Sequence, residues 1–348
     1  MQNKRINWVD YWKGFMLVII CLGHFNVPWK ILNFFMPIHV ASFFFLSGFL
    51  FNPQRTGTLK DFIKKKYKTL LFPYISLSLI FLTITPKLYY PSLNIFDGQH
   101  NVMEYLFNIH TLDISSSLHY FIFSIGAIFI EGNSASFTGP LWFVYVLFEV
   151  ELILFFVCHR RKQMIYLFSV FFFLSGWFFN IHHIYLPLKI EVVCSASFIS
   201  LLGYVSRNSI KKIESLPSIV LITIDLLLIF PYIYCLNLNG CPQFYSNTLC
   251  HNLLGYVFTI VSGMLLFAIF FILFSRLMTR CQPLAFIAQN GIIILAVHYY
   301  VACTSRLIIP GHYVILPYIQ LVAAIIFCAL SIYIVNNYFP ALVGKSKK

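Results

Sequence analysis

Three ionisable residues, Asp10, Lys13 and His24, stand inside the otherwise apolar stretch RINWVDYWKGFMLVIICLGH, residues 5–24. At about 100° per residue, Asp10, Lys13, Leu17, Cys21 and His24 fall on one narrow stripe of a helix. Eleven residues separate Lys13 from His24, roughly 16 Å of helical rise. The stripe therefore runs from a charged pair near one membrane surface to an imidazole well inside. An imidazole titrates near neutral pH and is costly in hydrocarbon. It marks either a site of chemistry or a histidine satisfied by a neighbouring helix.

Other groups raise the same question. His39 follows Pro37 in a second apolar run. Trp142, Tyr145 and Glu149 share one stripe of a later run, and Glu151 lies about 200° from Glu149, so only one carboxylate can face a given neighbour. Glu191 and Asp225 are further intramembrane carboxylates. Asn290 and His298, eight residues apart, fall within about 80° of each other on a helix. The segment 59–69, LKDFIKKKYKT, alternates an apolar stripe with lysines. It reads as an amphipathic helix on the membrane surface, serving either headgroup anchoring or phosphate binding, since lysine is a competent point-charge phosphate ligand.

The elements that must position these groups are transmembrane helices. Of 348 residues, 59% are hydrophobic and only 10% charged, and the mean hydropathy is +0.81, against about a quarter charged in a soluble domain. The expected fold is all-α, a single integral-membrane domain with its bundle over 8–340. Ten spans are read, at roughly 8–27, 31–51, 70–88, 140–158, 164–181, 188–206, 216–236, 253–275, 284–308 and 315–338. Pro37 should kink the second or mark its re-entry. Ser47 and Gly48 should let another helix approach it closely. With both termini cytoplasmic, nineteen of the loop lysines and arginines fall on the cytoplasmic side and four on the other, as the positive-inside rule requires. Topology thus explains the formal charge of +13, and no nucleic-acid partner is expected. No cleavable signal peptide is apparent. Residues 89–139 form the longest non-cytoplasmic loop, with Tyr120–Ile130 as a short interfacial or re-entrant helix. Nine cysteines are scattered without a CxxC pair, so no metal site is expected. A disulfide among Cys235, Cys241 and Cys250 has no pattern behind it. Nothing in the sequence speaks to oligomeric state.

Five stretches carry a likeness to a known family. Residues 5–24 resemble the first-span signature of the integral-membrane acyltransferase 3 family, in particular its fucose 4-O-acetylase-like members, with the Arg, Asp, Lys-Gly and terminal Gly-His in place. FFMPIHVASFFFLSGFLF resembles the second span. FIKKKYKTLLFPY resembles the basic segment ending in Pro-Tyr. GPLWFVYVLFEVEL and LAFIAQNGIIILAVHYYV resemble later spans. The resemblance implies acyl transfer from a cytoplasmic acyl-CoA, usually acetyl-CoA, to a hydroxyl. It gives His24 the essential role and ties Lys65 and Lys68 to the CoA donor. A multi-pass protein of a bacterial inner membrane, modifying a sugar or cell-surface polysaccharide precursor, is the implied setting. The chain departs from the pattern in places. Lysines stand where many relatives have arginines three apart, Lys13 also replaces an arginine, and Phe35 stands where relatives often have histidine. Four residues on, His39 either substitutes for that histidine or the chain does without one.

Moving an acetyl group from a thioester to an alcohol needs a base for the hydroxyl and a stabiliser for the tetrahedral oxyanion. His24 is the candidate base, with Asp10, Lys13 and Glu149 beside it in the expected catalytic set. His39, Trp142, Asn290 and His298 are expected to bind substrate or the oxyanion. Glu149 is preferred on stripe geometry to orient His24, while Glu151 stands where the family's Glu-Leu falls. Direct transfer and an acetyl-His24 intermediate both remain open. The rival is a secondary transporter or flippase using the same charges as a relay, although no inverted repeat is seen. A non-enzymatic membrane scaffold would not need the polar stripe.

Overall fold

A computed structural model describes residues 6–25, 27, 29–84, 124–132, 136–309 and 315–345. Among these the chain is helical, and β pairing is limited to a single bridge between Gln243 and Thr248. The helices are α1 (Asn7–His24), α2 (Ala41–Leu50), α3 (Leu59–Ile84), α4 (Trp142–Cys158), α5 (Lys162–Ile181), α6 (Ile190–Glu214), α7 (Ser218–Asn239), α8 (Leu253–Leu277), α9 (Gln282–Gln289), α10 (Gly291–Ile308) and α11 (Leu316–Tyr338). Seven are long and apolar enough to cross a membrane, or eight if the bent pair α9 and α10 is one span.

The helices sort into two layers. The apolar windows of α4, α6 and α8 are 61% buried, those of α5 and α7 only 11%. The outer helices present Leu174, Leu227 and Phe230 outward, as lipid-facing helices do. α1 lies in the middle. Its charges keep its mean hydropathy low, yet Trp12 and Met16 are fully buried. Trp12 stacks on Phe271 of α8 at 6.1 Å.

α2 crosses α6 through reciprocal glycines. A Cβ on Gly48 would overlap the carbonyl oxygen of Ser200, and one on Gly203 would overlap that of Phe45. Ser200 Oγ donates to Phe44 O at 2.8 Å across the contact. The backbones meet with no room for a methyl group, so Gly48→Ala should cost about 1–3 kcal/mol, the range for overpacking. A drop in the thermal unfolding temperature of the purified protein checks this, and an unchanged temperature would mean the helices are further apart.

Three expected spans come out differently. The second is helical only over α2 and one turn, Trp29–Leu32. Residues 33–40 form successive turns around Pro37, which has no N–H to continue a helix. The third begins earlier than expected: the basic segment 59–69 runs on into the apolar helix through a π-helical turn, Tyr67–Leu71. The ninth was expected as one helix over 284–308. It breaks at Asn290, with α9 and α10 bent by 84°. Asn290 caps the break, because Nδ2 donates to Phe286 O at 3.0 Å while its own carbonyl still accepts from Ile294 N at 3.1 Å. Two glycines make room for the bend: a Cβ on Gly14 would overlap the Leu284 carbonyl, and one on Gly291 would press on Leu17 Cδ1 at 3.0 Å. Most of the expected 89–139 loop lies outside the described residues. Of its described residues, 124–131 are helical and 136–139 begin a 3-10 turn, and Tyr74 OH donates to Ile128 O at 2.9 Å.

Candidate active site

Two groups of polar side chains sit along α1 and α10. The first lines a cavity of about 760 Å³ at the end of the bundle that carries the basic loops. Its wall holds six cations, Lys13, Arg55, Lys65, Lys66, Arg207 and Lys345, and two carboxylates, Asp10 and Glu151. They come from α1, the turn Pro53–Arg55, α3, α4, α6 and the C-terminal segment. Lys66 Nζ pairs with Glu151 Oε1 at 2.7 Å, and Ser47 Oγ donates to the same oxygen at 2.8 Å. Arg207 Nη1 donates to Phe51 O at 3.1 Å. At the α9–α10 break, Asn290 Oδ1 accepts from Asn336 Nδ2 and from Lys345 Nζ, both at 3.0 Å. Lys345 Nζ also donates to Asn336 Oδ1 at 2.7 Å. Burial pushes the Lys345 ammonium below the ordinary lysine range.

Deeper in, the wall turns apolar, with Leu17, Phe43 and Leu295. The second group begins just beyond them. The His24 ring lies 5.4 Å from that of His298 and 4.8 Å, edge on, from Tyr299. Arg306 Nη2 donates to the His24 carbonyl at 2.6 Å. His298 is fully buried, with Nδ1 2.7 Å from Ile294 O. A carbonyl only accepts, so Nδ1 carries the proton and the neutral ring presents the Nε2 lone pair. Among the described residues that Nε2 has no hydrogen-bond partner. His39 is held the same way, with Nδ1 2.5 Å from Met36 O. Among the described residues, the titratable groups that act on His24 are His298, His39 and Arg306, with no carboxylate among them. Past this group, Gly139 leaves room for the Tyr299 ring at 3.1 Å from where its Cβ would stand. Trp142 packs edge on against Tyr245 at 5.6 Å, and Lys189 Nζ sits 4.2 Å over the Tyr245 ring.

The structure brings some of the sequence candidates together and separates others. His24, His39 and His298 converge. Phe35 instead packs on Phe15 and Phe267. Asp10, Lys13, Lys65 and Asn290 share the basic cavity, with Lys13 about three helical turns from His24 along α1. Trp142 lies at the opposite end of the bundle. Lys68 does not line the cavity, and its carbonyl abuts Gly344. Glu149 is neither on the cavity wall nor a neighbour of His24. It lies beside Tyr145, within electrostatic range of Glu191. Arg55, Lys66, Arg207, Asn336 and Lys345 were not singled out for the site. Each sits in a loop or a helical segment on the basic side, which is the only mark it carries in the sequence.

A multi-pass helical membrane protein with a basic cavity running toward buried imidazoles has the parts for group transfer from an anionic donor. A family model, described as an acyltransferase domain, matches residues 6–336, and the chain belongs to the acyltransferase 3 family of membrane acyltransferases. No curated protein and no solved structure matches it.

Proposed function

We propose that the protein moves an acetyl group from acetyl-CoA to a hydroxyl of a sugar or cell-surface polysaccharide precursor, in a bacterial inner membrane. One observation carries this reading. The cationic cavity ends at Leu17 and Leu295, about 10 Å along α1 from His24 and about 4.5 Å along α10 from His298. A donor with phosphates at one end and a thioester on a long arm suits that shape. The nucleotide end lies among Lys13, Arg55, Lys65 and Arg207, and the arm follows the apolar wall to the imidazoles.

His24 takes the proton from the acceptor hydroxyl as its oxygen attacks the thioester carbonyl. The tetrahedral intermediate collapses, the C–S bond breaks, and the CoA thiolate recovers the proton from the imidazolium. Tyr299 and His298 flank the reacting carbon, and a hydroxyl such as that of Tyr299 can donate to the oxyanion. His298 and His39, with Nδ1 held by a carbonyl, have Nε2 left as second proton acceptors. Trp142 and Tyr245 offer aromatic faces with polar edges on the acceptor side.

Mass spectrometry of surface glycans from cells with and without the chain tests the acceptor. The reading expects acetyl esters to disappear with the chain, and an unchanged glycan profile would remove the sugar acceptor. Turnover of acetyl-CoA tests the donor. Lys65 lines the cavity and is exposed, so Lys65→Ala should raise KM for acetyl-CoA about two- to fivefold, the range of an exposed charge pair, with little change in kcat. The difference should shrink as salt rises. Lys68→Ala, off the cavity wall, should leave KM unchanged. The opposite order for the two lysines would put the donor elsewhere.

A further inference from the structure

Lys345 lies nine residues beyond the end of the family match at residue 336, yet it forms part of the cavity wall. The geometry points to Lys345 as a further donor-binding residue, a phosphate contact supplied by the C-terminal segment. This rests on the acetyl-CoA reading above.

The argument is one of hydrogen bonds and charge. An ammonium has three N–H donors. Two go to Asn290 Oδ1 and Asn336 Oδ1, which leaves one on the cavity side. Both acceptors are neutral amides, and each spends an N–H elsewhere, Asn290 on Phe286 O and Asn336 on Asn290 Oδ1. The network therefore fixes where the ammonium sits without neutralising it. A half-buried cation held by neutral acceptors gains most from an anion, because charge-assisted bonds are about twice as strong as neutral ones. Lys66, by contrast, already has its carboxylate in Glu151. The tail reaches the cavity by a short 3-10 turn, Pro340–Val343, closed by Gly344 at φ +72°, a conformation that suits glycine.

The test is CoA binding to the purified full-length protein. Lys345→Met keeps the apolar stem and loses the charge. It should weaken CoA binding and raise KM for acetyl-CoA about tenfold, the loss of one charge-assisted hydrogen bond, while kcat stays within twofold. Dephospho-CoA locates the contact. If it binds wild type and variant alike, Lys345 meets the 3′-phosphate; if the tenfold gap persists, it meets the pyrophosphate. Equal CoA affinity for wild type and variant, with or without a fall in unfolding temperature, would make Lys345 a strut for the C-terminal turn and overturn the inference. Wild type that binds no CoA at all would instead sink the donor reading, and Lys345 with it. Should Lys345→Met not be recovered from membranes, Lys345→Gln carries the same expectation.

Discussion

Replacing His24 by Ala is expected to lower acetyl transfer at least roughly hundredfold, the contribution of a general base, and to leave CoA affinity unchanged. The separation follows from the geometry. Lys13, the donor-cavity cation on α1, stands about three turns from His24 and the other cations lie on other elements, so removing the imidazole touches none of them. One side chain at the end of α1 does not hold the bundle together either, since its buried face is made by residues such as Trp8, Trp12 and Met16. His24→Gln keeps a hydrogen-bonding side chain and loses the titrating group, so it should be as inactive as His24→Ala. A Gln variant that retained most of its transfer would make His24 a structural histidine. The base would then be His298 or His39, each already holding an Nε2 lone pair.

The second large effect is on stability. Glu151→Leu is expected to destabilise the protein by about 3 kcal/mol, the low end for breaking a buried ion pair. Glu151 is 7% exposed, and its Oε1 takes both Lys66 Nζ and Ser47 Oγ. Leucine would strand the ammonium and the hydroxyl together. The low end applies because Lys66 borders the cavity, where water reaches it. Glu151→Gln keeps an oxygen for Ser47 and should fall between the two. Combining Glu151→Leu with Lys66→Met removes both charges and should recover most of the loss, since an apolar pair can replace a buried ion pair at little cost. Unfolding of the single and double variants measures this, and simple addition of the two single effects would mean the pair is not coupled.

The two carboxylates of α4 show how far the sequence reaches. Their offset of about 200° means that one faces a given neighbour and the other does not. It does not say which, because the choice depends on Lys66 and Ser47 arriving from α3 and α2. The same limit separates Lys65 from Lys68. Three residues apart, they would be neighbours on a regular α-helix, but the π-helical turn starting at Tyr67 changes the register between them. Hydropathy made the long apolar helices legible, and Pro37 announced the break in the second span. The break at Asn290 was hidden, since it needs Gly14 and Gly291 to admit a helix distant in sequence. The histidines were visible as costly groups in apolar runs. Their convergence was not, because residues 33–40 reach His24 through turns rather than along a helix face.

Sealed membrane vesicles of the two orientations, each supplied with external radiolabelled acetyl-CoA, test the central claim most directly. CoA phosphates keep the donor from crossing the bilayer, so only an open donor cavity can use it. The account predicts label transfer when the face carrying Arg55, Lys65 and Lys345 is outermost, as in inverted vesicles if the positive-inside rule holds, and none from the other face. Transfer from the opposite face alone would contradict it.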